Sequence, residues 1–242
     1  MLKFFRKIRQ KLLEENKIGN YLKYAIGEIL LVVIGILIAL QINNWNENNK
    51  SHATEIKILK ELKLALQQDL FNINVNIRSY KDVNRSLEII KEQLQLDEIT
   101  NDSLGYAFSK SLFNNSVAPT IGPYETLKSK GLDLISNDTL RQDIILVYEM
   151  AYKYYQDKAK DRFLPEAYIQ EYCAGLFKGM SIYDDDPEAM VPNDLALIKT
   201  DQIYHTIINT RIAQVRQSKS ELELNQILVS KLIESIDKEL NK

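Results

Sequence analysis

One cysteine, two histidines, one tryptophan, five prolines and eight glycines are all that 242 residues hold of these types. Each scarcity excludes something. The lone Cys173 cannot form an internal disulfide, and it does not distinguish one redox compartment from another. His52 and His205 have no second His or Cys three or four positions away, so no zinc-ligand pattern exists. Scarce glycine and proline disfavour sandwiches and barrels, which turn about every 8–12 residues. The GxSxG, HExxH, Walker and GxGxxG patterns are also missing. No catalytic residue, cofactor or metal is therefore expected, and the chain does not read as an enzyme.

Acidic charge is scarce in the first part of the chain. Residues 1–50 carry eight Lys/Arg against four acids, a net of +4, which leaves −6 for the remainder. A mildly acidic remainder offers nothing to a phosphate backbone, so nucleic acid is not an expected partner.

What the sequence does contain is one long apolar run, "YAIGEILLVVIGILIALQINNW", residues 24–45. Nineteen residues from Tyr24 to Ile42 hold a single charge. At 1.5 Å per residue they span roughly 28 Å, close to the hydrocarbon thickness of a bilayer. Seven basic residues precede the run, so the positive-inside rule places the N-terminus in the cytoplasm and the rest outside. Tyr21, Tyr24 and Trp45 stand where interfacial rings are expected. The end of the run lacks the small-residue cleavage pattern of a signal peptide, so an uncleaved anchor is expected. Residues 1–23, with Phe5, Ile8 and Leu12 on one face, read as a basic amphipathic segment on the cytoplasmic leaflet.

Glu28 lies inside the run, and two readings remain open. It can snorkel to the headgroups or meet Lys23 or Lys17. Alternatively Glu28, Gly35 and Ala39 form a helix–helix contact, with Gly35 and Ala39 as a small-xxx-small pair. The second reading makes a further copy, or another inner-membrane protein, a partner beside the lipid bilayer.

"FFRKIRQKLLEENK" followed by "YLKYAIGEILLVVIGILIALQINNWNE" resembles the start of a family of small bacterial membrane proteins typical of Bacteroidota, catalogued as domain of unknown function 6090. "YETLKSKGLDLISNDTLRQDIILVYE", residues 124–149, resembles the central segment of that family, and the likeness is read along the chain. It implies an inner-membrane anchor and a helical extracytoplasmic domain, and supplies no activity. Residues 184–193 find no counterpart in it.

No Gly or Pro occurs between Gly35 and Gly105. Leu59, Leu66, Ile73, Tyr80, Leu87 and Leu94 recur every seven residues, flanked by Ile56, Leu62, Leu70, Ile77, Val83 and Ile90. The pattern predicts one long helix, continuous with the apolar run and reaching about Leu96. Lys63, Asn84 and Lys91 interrupt the seam, which argues for a bundle face rather than a free two-stranded coiled coil. Asn101 or Asp102 can cap a short helix. Pro123 suits the first turn of another, and Gly131 its stop. Ser136 or Asn137 can cap a long helix carrying Leu140, Ile144, Val147, Ala151 and Tyr155, which Pro165 kinks or splits. A last helix is expected from about Asp194 to Leu240, with Leu197, Ile203, Ile207, Ile208, Ile212, Val215, Leu222, Leu228 and Leu232 on its apolar side. No strand is convincing.

The expectation is all-α: a single transmembrane helix over 24–45, then an extracytoplasmic helical bundle with long helices over 46–242, in a bacterial inner membrane with a periplasmic C-terminal domain. Tyr148, Tyr152 and Tyr155 read as core or interface. His205 reads as a boundary residue and Cys173 as a small packing residue. "YDDDPE", residues 183–188, reads as a solvated loop, since three adjacent Asp lack the spacing and turn glycine of a calcium loop. The functional expectation is a membrane-anchored interaction or scaffold protein of the cell envelope. The alternative is an extracytoplasmic ligand- or stress-sensing domain acting through a membrane partner.

Overall fold

The computed structural model describes residues 18–96, 104–113, 117–162, 166–178 and 190–242. It divides into two compact units, Met1–Thr54 and Glu55–Lys242. The expectations on residues 1–17, on the Asn101/Asp102 cap, on Pro165 and on the 183–188 carboxylates fall outside the described residues.

Helix α1 runs unbroken from Ile18 to Gln93. Its length follows from the absence of any helix breaker across seventy residues. In the first unit its apolar side chains face outward: Leu31 is 72 % and Ile42 61 % exposed. Among the described residues, α1 is the helix long and apolar enough to cross a membrane, and none of its most apolar window is buried.

In the second unit the same helix supplies the core. Leu59, Leu66, Ile73, Tyr80, Leu87 and Leu94 are all buried, as the seven-residue row requires. Short helices follow: α2 (Leu104–Ser111) and α3 (Gly122–Lys130). Pro123 sits in the first turn of α3, and Gly131 ends it with a positive φ of 101° that favours glycine. A 3₁₀ turn (Leu132–Leu134) leads to α4 (Asp138–Ile145), capped by the Asn137 side chain on the N–H groups of Thr139 and Leu140. A π turn (Leu146–Ala151) then joins α4 to α5 (Tyr152–Arg162). Helix α6 (Glu166–Leu176) runs into β1 (Phe177–Lys178), which pairs antiparallel with β2 (Val191–Pro192). This minimal ladder is the one exception to the expected absence of strand among the described residues.

The last helix is shorter than expected. Leu195–Thr200 forms a separate helix, α7, capped by Asp194, and α8 runs from Gln202 to Leu240. Asp201 breaks them apart because its carboxylate takes the N–H groups of Ile203 and Tyr204. The break changes the register, so Leu197 and Ile203 are exposed and Ile198 is the buried residue of α7.

Two interleaved seven-residue rows face inward along α8. One is apolar: Ile208, Val215, Leu222, Val229 and Ile236. The other is mixed: Tyr204, Arg211, Ser218, Asn225 and Leu232. Helices α1 and α8 lie antiparallel. Lys63 pairs with Asp237 at 2.6 Å, Gln226 donates to Asn74, and Arg216 pairs with Glu88. Lys63, an apparent defect in the α1 seam, is therefore a link across the helix pair. The Asn84 side-chain oxygen is buried and accepts no hydrogen bond among the described residues. Buried Arg211 donates to the Phe113 carbonyl at 2.9 Å, tying the end of α2 to α8.

Candidate functional site

The α1 face that buries Leu59 and Leu66 also buries two carboxylates, Glu55 and Asp69. A carboxylate in an apolar seam is costly unless hydrogen bonds satisfy it. Oδ1 of Asp69 accepts the Thr120 backbone N–H at 2.9 Å and its hydroxyl at 2.8 Å. Oε1 of Glu55 does the same with Ser136, at 2.7 and 2.9 Å. Thr120 stands two residues before α3, and Ser136 two before α4. Each acid therefore pins the entry of a helix to α1. The second oxygen of Asp69 accepts the Tyr152 hydroxyl at 3.0 Å.

Tyr152 belongs to a tyrosine cluster. Tyr124 and Tyr148 stack almost parallel, 4.5 Å between centroids and 4° apart. Tyr148 meets Tyr152 edge-on at 5.4 Å. Such pairs are worth about 0.5–1.5 kcal/mol beyond their buried area. Burial is the first cause that lifts all three hydroxyls well above the ordinary tyrosine range. The Glu149 hydrogen bond adds to it at Tyr124, and the Asp69 charge at Tyr148 and Tyr152. Tyr124 and Tyr152 serve as donors, to Glu149 and Asp69. The Tyr148 hydroxyl is buried without a hydrogen-bond partner among the described residues. Its helix is in π geometry there, a form that recurs at functional sites.

At the surface the outer face of α1 leaves Leu64, Phe71 and Val75 exposed, and α8 leaves Leu224 and Ile227 exposed. Leu70, Asn74, Gln226, Ile227, Lys231 and Glu234 line a shallow open groove between the two helices. A second open cleft lies along α6 at Tyr168, Glu171, Tyr172 and Gly175. The Tyr172 hydroxyl donates to both oxygens of Asp201, at 2.7 and 2.6 Å. That bond raises the Tyr172 hydroxyl to about 12 and holds the Asp201 carboxyl below its usual range.

Tyr148, Tyr152 and Tyr155 are core residues, as their helical spacing predicted. His205 is a boundary residue whose Nε2–H donates to the Lys199 carbonyl at 2.8 Å. Cys173 is fully buried, and burial pushes its thiol up to about 11. Among the described residues no three His, Cys, Asp or Glu side chains come together as for a metal ion. Glu28 is half-buried, while Gly35 and Ala39 face outward. Sequence reasoning missed Glu55 and Asp69. The available signal was their position: both fall within the apolar face of α1, between Ile73 and Leu59 or one turn before it.

A model of a family of unknown function, DUF6090, matches residues 28–171. The chain belongs to this family. The matched part contains Glu28, both buried carboxylates, the loops they hold and the whole tyrosine cluster. Helices α7 and α8 lie beyond it, so the likeness covers that part rather than the full chain. No curated protein and no solved structure matches.

Proposed function

We propose that the chain is a single-pass, non-enzymatic interaction or scaffold protein of a bacterial cell envelope. It is held in the inner membrane by residues 24–45, with its N-terminus in the cytoplasm and residues 46–242 in the periplasm. The observation that carries this reading is the uncovered apolar surface of α1, whose most apolar window has no buried residue. Water does not tolerate such a surface, and a bilayer matches its length. The charge asymmetry about the run supports the orientation. Exposed Phe71 and Ile227, 63 % and 62 % accessible, support a protein-contact role for the domain.

A reporter active only outside the cytoplasm, fused after Lys242, should be active in membranes. A silent outside reporter with an active cytoplasmic one overturns the orientation. A photo-crosslinker at Phe71 should capture a protein in intact membranes, whereas one at fully buried Phe108 should not. Absence of capture from Phe71 removes the support for that face.

A second reading, a sensing domain acting through a membrane partner, is favoured by one specific observation. Tyr148 lies in the π turn, and Tyr152, just after it, donates to the buried Asp69 of the helix that carries the candidate span.

A further inference from the structure

The contacts around Asp69 close into a ring. The Lys128 ammonium and the Tyr124 hydroxyl both donate to Oε1 of Glu149, at 2.7 and 2.9 Å. Tyr124 stacks on Tyr148, Tyr148 abuts Tyr152, and Tyr152 donates to Asp69. Asp69 then returns to the start of α3 through Thr120. Helix α3 itself carries Tyr124 and Lys128.

The ring has one end in solvent and one in the core. Lys128 and Glu149 are 49 % and 39 % exposed, whereas Asp69 is fully buried. Between them lies the π turn, which holds both Glu149 and Tyr148. A π turn spaces its hydrogen bonds one residue wider than an α-helix and is a recognised irregularity within one. The Tyr148 ring has no polar bond to fix it among the described residues. Its place is set by the flat contact with Tyr124, and the Tyr124 hydroxyl is set in turn by Glu149.

We propose that this ring is a relay. The π turn, displaced at the exposed Lys128–Glu149 pair, alters the grip of α1 on the segment Val117–Ile121 through Tyr124, Tyr148, Tyr152 and Asp69. The surface pair is the input, and the Thr120–Asp69 clasp is the output. Packed side chains transmit such a shift because a close-packed interior cannot absorb it. The relay goes beyond both readings of function and requires neither.

Hydrogen exchange at the Thr120 amide, in the full chain reconstituted in bilayer discs, reads the clasp directly. Glu149→Gln weakens the acceptor shared by Lys128 and Tyr124. Tyr124→Phe removes the hydroxyl and keeps the stacked ring. Both should speed Thr120 exchange about three- to tenfold, the size of one lost hydrogen bond. Amides of Val229 and Ile236 on α8 should not change. An unchanged Thr120 rate in either variant overturns the relay, since both cut the same link. A rise shared equally by the α8 amides also overturns it, because that is general loosening.

Discussion

Asp69 and Thr120, fifty-one positions apart, are joined twice: one carboxylate oxygen takes both the N–H and the hydroxyl of the same residue. The clasp does for a loop what an N-cap does for a helix, with the acceptor supplied from a distant element. Asp69→Ala leaves the Thr120 N–H and hydroxyl and the Tyr152 hydroxyl without their acceptor. The expected loss is about 2–4 kcal/mol. Asp69→Asn retains one oxygen acceptor and should lose about half as much. Urea unfolding of the full chain in detergent micelles, followed by far-UV circular dichroism, measures both. Equal stability of Asp69→Ala and the parent chain would show that the clasp contributes nothing.

The seven-residue row on α1 makes a second prediction with an internal control. Ile73 is 1 % exposed, and Leu64, on the opposite face, is 67 % exposed. Ile73→Ala should cost about 2–5 kcal/mol, and Ile73→Asp more, since it buries an unpaired charge. Leu64→Ser should stay within about 0.5 kcal/mol of the parent. A larger loss at Leu64 than at Ile73 would falsify the assigned face.

That face was legible because one seven-residue periodicity runs from Leu59 to Leu94 inside a longer stretch without Gly or Pro. The caps were legible for a similarly local reason: Asn137, Pro123 and Gly131 each act on their own first or last turn. Other features were not. The π turn at Leu146–Ala151 has no marker residue, and the apolar spacing across it still reads as one helix. The break at Asp201 hid because Leu197 and Ile203 extend the apolar pattern across it, although an aspartate favours the N-cap over the helix interior. The clasps of Asp69 and Glu55 join residues at least fifty positions apart, and periodicity has no access to such pairs. What the face as a whole serves was not legible either, since packing and docking use the same apolar residues.

The tie between α6 and α8 has a defined pH window. Asp201 titrates lower in the folded chain than in the unfolded one, chiefly because of the Tyr172 hydrogen bond. Its contribution is present above the unfolded carboxyl value and is lost as pH falls through the folded one. Tyr172 is raised from 10.0 to about 12. Its contribution is present below the unfolded value and is lost as pH rises through the folded one. The tie should hold between about pH 4 and 10 and loosen at both ends. Both groups are partly exposed, so solvent screening keeps the effect small. Amide exchange at Tyr204, whose N–H also goes to Asp201, should rise at either extreme in the parent chain. In Tyr172→Phe the alkaline rise should vanish beyond the intrinsic base dependence. Its persistence would place the alkaline transition elsewhere.

Cys173 provides a probe of the same region. It is fully buried, with its thiol pushed up to about 11 by burial. The thiolate is the reactive form, so both access and ionisation oppose modification near pH 8. An aromatic disulfide reagent should label the folded chain slowly and the urea-unfolded chain fast. The labelling midpoint should coincide with the circular dichroism midpoint. Fast labelling under native conditions would show that α6 opens without global unfolding.

The final prediction concerns Glu28, Gly35 and Ala39. A β-carbon built at Gly35 meets no atom within 4 Å in the single chain. A steric block by Gly35→Leu in the segment Lys17–Asn49 would therefore be against another molecule. If the three residues form a helix–helix face, Gly35→Leu blocks close approach, and Glu28→Leu removes a polar contact worth about 0.5–2 kcal/mol. If Glu28 snorkels, neither change affects association, and Glu28→Gln leaves insertion intact. Glu28 stands about one turn inside the edge of the apolar run, where reaching the headgroups costs little. Snorkelling is therefore the expected outcome. In a membrane two-hybrid assay of Lys17–Asn49, the three variants should match the parent segment. Loss of signal with both Gly35→Leu and Glu28→Leu would reassign the face to self-association. Loss with Glu28→Leu alone would indicate that the carboxylate is held by a partner without close backbone approach.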